Sequence, residues 1–187
     1  VAFEVACAFR APLDVFVVRK LGVPGQEELA MGAIASGGVR VLNQQVIDAL
    51  HLSAETLNAV ALREEIELER RELAYRDGRP APATAGRTVI LVDDGVATGS
   101  TMRAAVAALR QLHAAGIIVA TPTAALSTVK EMESDVDAFV AVITPAEFHG
   151  VGEWYEDFSQ TTDEEVRELL ARASRIPLEG PEGESAG

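Results

Sequence analysis

Apolar residues recur along this chain at helical spacing in some stretches and as short strand-length runs in others, and the two kinds alternate. Residues 1–10 place Phe3, Ala6 and Phe9 near one face, with Ala2 and Val5 on an adjoining stripe, which is a helical spacing. Residues 14–19 (Asp-Val-Phe-Val-Val-Arg) are a short apolar run, expected as a buried strand. Gly22, Pro24 and Gly25 then break the pattern, and residues 21–30, with the charges of Glu27 and Glu28, are expected as a mobile loop. Residues 31–35 and 39–42 look like two short strands around the turn Ser36-Gly37-Gly38. A short helix is expected over 44–50. A longer one, capped by Ser53 with Glu55 in its first turn, runs to about Tyr75. Its dense charges from Arg63 to Arg76 suit a solvated face with paired ions.

Residues 88–92 form the clearest strand, followed by a helix over 101–114, a strand over 117–121, a helix over 127–133 and a strand over 138–143. An irregular stretch, 144–160, concentrates aromatic residues: Phe148, Trp154, Tyr155 and Phe158. Thr162 caps an expected final helix from Asp163 to about Ala173. Alternating strands and helices predict an α/β fold with a mainly parallel central sheet and flanking helices. Ligands in such sheets bind at the carboxyl ends of strands, so the junction after Val92 is the place for chemistry.

That junction reads Val92-Asp93-Asp94-Gly95-Val96-Ala97-Thr98-Gly99-Ser100-Thr101. Two carboxylates at a strand end repel phosphate but accept hydrogen bonds from the hydroxyls of a ribose cis-diol. The turn after them does the opposite job. Backbone N–H groups over 97–101 open a helix, where the dipole favours an anion, and Thr98, Ser100 and Thr101 add hydroxyl donors. A diol reader beside a phosphate cradle describes a pentose 5-phosphate. Competing phosphate loops fit worse: no lysine is present for the nucleoside-triphosphate loop, and no Gly-x-Gly-x-x-Gly opens the helix.

Composition narrows the rest. The chain has 187 residues, suited to one domain, and a formal net charge of −13. Such an acidic chain is a poor general binder of nucleic acid or of anionic membranes, so an anionic ligand must be held by a local device. No apolar run reaches the roughly 18 residues of a membrane span. Cys7 is the single cysteine, which leaves no intrachain disulfide and no cysteine-based zinc cage. This fits a reducing cytoplasm, and Cys7 itself is expected as a small buried hydrophobe. Arg19 and Lys20 are adjacent cations at the end of an apolar run and are candidates to meet a multiply charged anion.

The apolar strand, the Asp-Asp pair and Thr98-Gly99-Ser100-Thr101 together resemble the signature of type I phosphoribosyltransferases. Val18-Arg19-Lys20-Leu21-Gly22-Val23-Pro24-Gly25 looks like the segment after the second core strand of adenine phosphoribosyltransferases. The whole chain, including Trp154-Tyr155-Glu156-Asp157-Phe158, is similar to a group of predicted bacterial phosphoribosyltransferases with no assigned acceptor. The resemblance implies catalytic contacts from Asp93 and Asp94 to the ribose of phosphoribosyl pyrophosphate, and binding of its 5-phosphate by Ala97, Thr98, Gly99, Ser100 and Thr101. It also implies pyrophosphate contacts from Arg19 and Lys20. The stretch 144–160 matches the small hood over a base-like acceptor, with Phe148, Trp154 and Asp157 as the acceptor contacts. Magnesium is expected to arrive with the pyrophosphate, held mostly by ligand oxygens and water. The partners are then phosphoribosyl pyrophosphate and the acceptor, and a homodimer is left open. In domain terms this is a phosphoribosyltransferase-like domain over 1–175, followed by a Pro-, Gly- and Glu-rich tail over 176–187 expected to be disordered. The family places a strand and a pyrophosphate loop before the first helix, and that segment is expected upstream of Val1. A non-catalytic or regulatory sugar-phosphate or nucleotide binder on the same fold is the alternative.

Overall fold

The structure, a computed structural model, describes residues 1–177. The expected disordered tail falls, from residue 178 on, outside the described residues. Helix α1 (Ala2–Phe9) is followed by an antiparallel sheet of β1 (Val18–Val23), β2 (Gln26–Ala35) and β3 (Val39–Leu42). Helices α2 (Gln44–Ala49) and α3 (Ala54–Arg76) come next. The second half alternates β4 (Thr88–Val92), the short β5 (Gly95–Val96), α4 (Ser100–Gln111), β6 (Gly116–Ala124), α5 (Leu126–Met132), β7 (Ala138–Ile143) and α6 (Asp163–Ala173). Within it β6 is central: β4, β5 and β7 all pair with it in parallel, giving the α/β fold its parallel sheet.

Helix α4 binds the two halves. Its buried Met102, Val106 and Leu109 pack with Ile117 and Val119 of β6 and Met132 of α5. Its small Ala104 and Ala107 lie along a cleft of about 500 Å³ whose other wall is Ala30, Gly32 and Ala33 of β2. A second core joins Leu21 and Val23 of β1, Met31 and Ile34 of β2, and Val60, Ala61 and Leu68 of α3. Among the described residues no helix is long and apolar enough to cross a membrane.

Two expectations about the first half are corrected. The strand expected at 14–19 begins only at Val18. Asp14 is drawn away by Arg76 at the end of α3, a buried guanidinium that also bonds the Val15 carbonyl at 3.1 Å. Val17 pairs with a side chain where a strand partner is expected, donating its N–H to Ser36 Oγ at 2.7 Å. The segment expected as a loop, 21–30, is a tight hairpin turning at Pro24-Gly25, with Val23 opposite Gln26. Gly25 supplies the turn with φ 79°. Leu21, Val23 and Met31 alternate into the core, and their burial holds both strands. Cys7 is partly exposed rather than buried.

The termini of the long elements follow the local sequence. Ser53 Oγ accepts the Thr56 N–H at 3.1 Å and starts α3. Thr162 and Glu165 form a reciprocal capping box at the start of α6. Replacing Thr162 by alanine is expected to cost about 1 kcal/mol, and to lower the melting temperature by about 2–4 °C in a chain of this size. A thermal melt of the variant checks this.

Candidate pentose-phosphate site

Strand β4 ends at Val92, and the Asp93 N–H still reaches the Ala120 carbonyl at 3.3 Å. Regular pairing resumes only at Gly95, opposite Thr123. In the two-residue interruption the carboxylates leave the sheet. Asp93 turns back to accept the Asp94 N–H at 3.0 Å. Burial raises the Asp93 carboxyl above the usual aspartate range, and the neighbouring charge of Asp94 acts in the same direction. Asp94 is exposed. The pair is thus one shielded and one open acceptor at the carboxyl end of the sheet.

The turn that follows has its carbonyls engaged on the protein side. The Ala97 carbonyl accepts the Thr128 hydroxyl, and the Thr98 carbonyl accepts a guanidinium N–H of Arg103 at 2.5 Å. Arg103 is itself anchored to Glu131 at 2.5 Å. With these two carbonyls engaged, the first amides of α4, which have no intrahelical acceptor, are the donors the turn leaves open. No side chain caps that helix, because its N-cap is Gly99 in the left-handed region at φ 72°. A Cβ on Gly99 would lie 2.6 Å from Thr128 Cγ2 and 3.1 Å from the Met132 sulfur. Only glycine fits there. Ala97, Thr98, Ser100 and Thr101 are exposed, and the Thr98 and Ser100 hydroxyls are 3.4 Å apart. An uncapped helix start with hydroxyls around it suits an anion.

The aromatic stretch also reaches this junction. Tyr155 donates its hydroxyl hydrogen to the Asp94 carbonyl at 2.6 Å, and Val151 lies directly over Gly95. Trp154, at the end of a short 3₁₀ turn, is 40% exposed, and Phe148 is half-buried. Asp157 accepts the Ser159 N–H at 2.8 Å, which holds its carboxyl below the usual range. The structure therefore brings Asp93, Asp94 and residues 97–101 to one junction and sets the 151–158 segment beside it.

Arg19 and Lys20 lie on β1, in the antiparallel sheet. Arg19 is clasped by Glu64 of α3 through Nε at 3.0 Å and Nη2 at 2.6 Å. Lys20 reaches Glu28 across the hairpin at 3.4 Å. Sequence reasoning missed Arg103, Thr128 and Tyr155. The aromatic cluster marked the neighbourhood of Tyr155, but no local pattern shows a contact spanning 61 residues.

Paired carboxylates at a strand end, followed by an uncapped helix, on a parallel sheet define a class of α/β domain. Comparison with known proteins places the chain within it. The phosphoribosyl transferase domain model matches residues 21–156, and the chain belongs to that family. Two Mycobacterium tuberculosis proteins, each named a "putative phosphoribosyl transferase", are 47% identical over 175 residues, 94% of this chain. The match covers 40% of their length, so the chain spans about two fifths of these curated relatives. The crystal structure of TT1426 from Thermus thermophilus is similar with a TM-score of 0.79 at 38% identity. That match covers 91% of this chain and 80% of the other.

Proposed function

We propose that this domain binds phosphoribosyl pyrophosphate and transfers its ribose 5-phosphate to a nitrogen of a base-like acceptor, releasing pyrophosphate. One observation carries the proposal: an uncapped helix start, its loop carbonyls tied inward, stands next to paired carboxylates. The amides and hydroxyls of residues 97–101 take the 5-phosphate, and Asp93 and Asp94 accept hydrogen bonds from the ribose hydroxyls. As pyrophosphate leaves, C1 of the ribose gains positive charge, and the nearby carboxylates stabilise it. The rest of the task is positioning and exclusion of water. Val151, Trp154 and Tyr155 stand on the acceptor side, with Phe148 and Asp157 further along the same stretch.

Among the described residues no group of three or more His, Cys, Asp or Glu side chains can hold a metal. Magnesium is proposed to arrive with the substrate, held mostly by ligand oxygens and water, with the exposed Asp94 as an open carboxylate of this site. When bound, magnesium neutralises pyrophosphate charge.

The engagement of Arg19 by Glu64 favours a second reading, in which the domain binds a sugar phosphate without turnover. Calorimetry with ribose 5-phosphate, then pyrophosphate release from phosphoribosyl pyrophosphate across a panel of bases, separates the two. Saturable binding with acceptor-dependent release is expected. Binding without release for any base supports the second reading, and no ribose 5-phosphate binding overturns both.

A further inference from the structure

The segment after β7 is folded on itself and pinned at two neighbouring points. Tyr155 packs its ring against Phe158, with centroids 5.2 Å apart and planes tilted by 40°. Gly152 leaves no room beside that phenylalanine: a Cβ there would lie 3.0 Å from Phe158 Cδ1. The first pin is steric. A Cβ on Gly95 would lie 2.4 Å and 2.6 Å from the two methyls of Val151, so any other residue at 95 pushes the segment off. The second pin is polar, the 2.6 Å bond from the Tyr155 hydroxyl to the Asp94 carbonyl. Both pins fall on the Asp94-Gly95 peptide, directly after the Cα that carries the Asp94 carboxylate.

We propose that Tyr155 is a positioning residue that ties the 151–158 segment to the diol-reading carboxylates, so that filling the pentose-phosphate site and placing the acceptor cover are coupled. The inference rests on the pentose-phosphate reading of the site. The bond requires a protonated phenol. Burial, and after it the charges of Asp94 and Asp93, raise the Tyr155 pKa above its ordinary value. The hydroxyl therefore stays a donor at neutral pH. A sugar that engages Asp94 acts on the peptide that Tyr155 holds. By linkage, the state of the cover must then act equally on sugar affinity.

The chain carries a built-in reporter. Trp154 is its single tryptophan, adjacent to Tyr155 and 40% exposed. The full chain is titrated with ribose 5-phosphate and, separately, with inorganic phosphate, reading heat and Trp154 emission. The wild type is compared with Tyr155→Phe, which removes only the hydroxyl, and Tyr155→Leu, which also removes the ring. In the wild type, Trp154 emission should change with the same midpoint as ribose 5-phosphate binding. Tyr155→Phe should weaken ribose 5-phosphate binding by about five-fold, the scale of one lost hydrogen bond, and leave inorganic phosphate affinity unchanged. Its Trp154 response should fall to less than about half, the mark of a cover that keeps its steric pin but has lost the hydrogen bond that couples it to Asp94. Wild-type affinity and response in Tyr155→Phe, with loss only in Tyr155→Leu, overturns the proposal, since the ring then acts by packing alone. Equal loss for both ligands in Tyr155→Phe also overturns it, because the hydroxyl then acts through loop stability. A wild type that binds ribose 5-phosphate with silent Trp154 overturns the coupling but leaves the site standing. A wild type that binds no ribose 5-phosphate removes the site and the coupling together.

Discussion

Replacing both Asp93 and Asp94 by asparagine is expected to weaken ribose 5-phosphate binding by about a hundred-fold while leaving the fold at least as stable. Hydrogen bonds to charged acceptors contribute about 1.5–3 kcal/mol each against about 0.5–1.5 kcal/mol for neutral ones, so turning two carboxylates into amide acceptors costs roughly 2–3 kcal/mol. The stability half follows from the sign of the Asp93 shift. Burial raises its folded-state pKa above the ordinary aspartate value. The folded chain then holds a proton that the unfolded chain has already released, so stability falls as pH rises through the interval between those two values. Above that interval the ionised Asp93 opposes folding at every pH. A neutral amide removes this cost, and the melting temperature at neutral pH should stay level or rise by no more than about 2 °C. Calorimetry and thermal melts on the same samples check both halves. Unchanged affinity in a stable double variant removes the carboxylates from the site, and a large fall in melting temperature assigns them a structural role.

Replacing Gly99 by valine is expected to damage stability and ligand binding together. The residue sits at φ 72°, where a β-branched side chain is strained by about 1–2 kcal/mol. Its Cβ would come within 2.6 Å of Thr128 and 3.0 Å of the Arg103 guanidinium. Overpacking of this kind costs about 1–3 kcal/mol more. A total of about 2–5 kcal/mol lowers the melting temperature by roughly 4–20 °C at the usual slope for this size. Thr128 and Arg103 are also the groups that hold the Ala97 and Thr98 carbonyls inward. Displacing them turns the amides away from the cradle, and inorganic phosphate binding should be lost even at temperatures where the variant is folded. Retained phosphate binding in a folded Gly99→Val chain sinks the assignment of the cradle to this turn.

Much of the second half of the molecule is legible along the chain because its signals are local. The apolar run 88–92, the carboxylates that end it and the glycine-bearing turn into α4 are contiguous, so the junction can be recognised from sequence alone. The helix starts at Ser53 and Thr162 are equally local, each depending on a side chain three residues from its partner amide. The first half is less legible. Gly22, Pro24 and Gly25 look like loop residues in isolation, yet Leu21, Val23 and Met31 become strand residues by burying against α3 and α2. The boundary at Val18 likewise depends on Arg76 and Ser36, which lie far along the chain.

The sequence by itself determined the fold class, the parallel strand–turn–helix junction and the types of donor and acceptor available there. These follow from periodicity, from the conformational limits of glycine and proline, and from the chemistry of adjacent side chains. Only the tertiary structure decided which distant groups hold that junction in shape. Arg103 and Thr128 fix the loop carbonyls, Tyr155 and Val151 seat the aromatic segment on Asp94-Gly95, and Glu64 holds Arg19 on β1. The physical reason is range. Hydrogen bonds within a turn are written in neighbouring residues, whereas an ion pair across 45 residues or a hydroxyl contact across 61 exists only once packing has brought separate elements together.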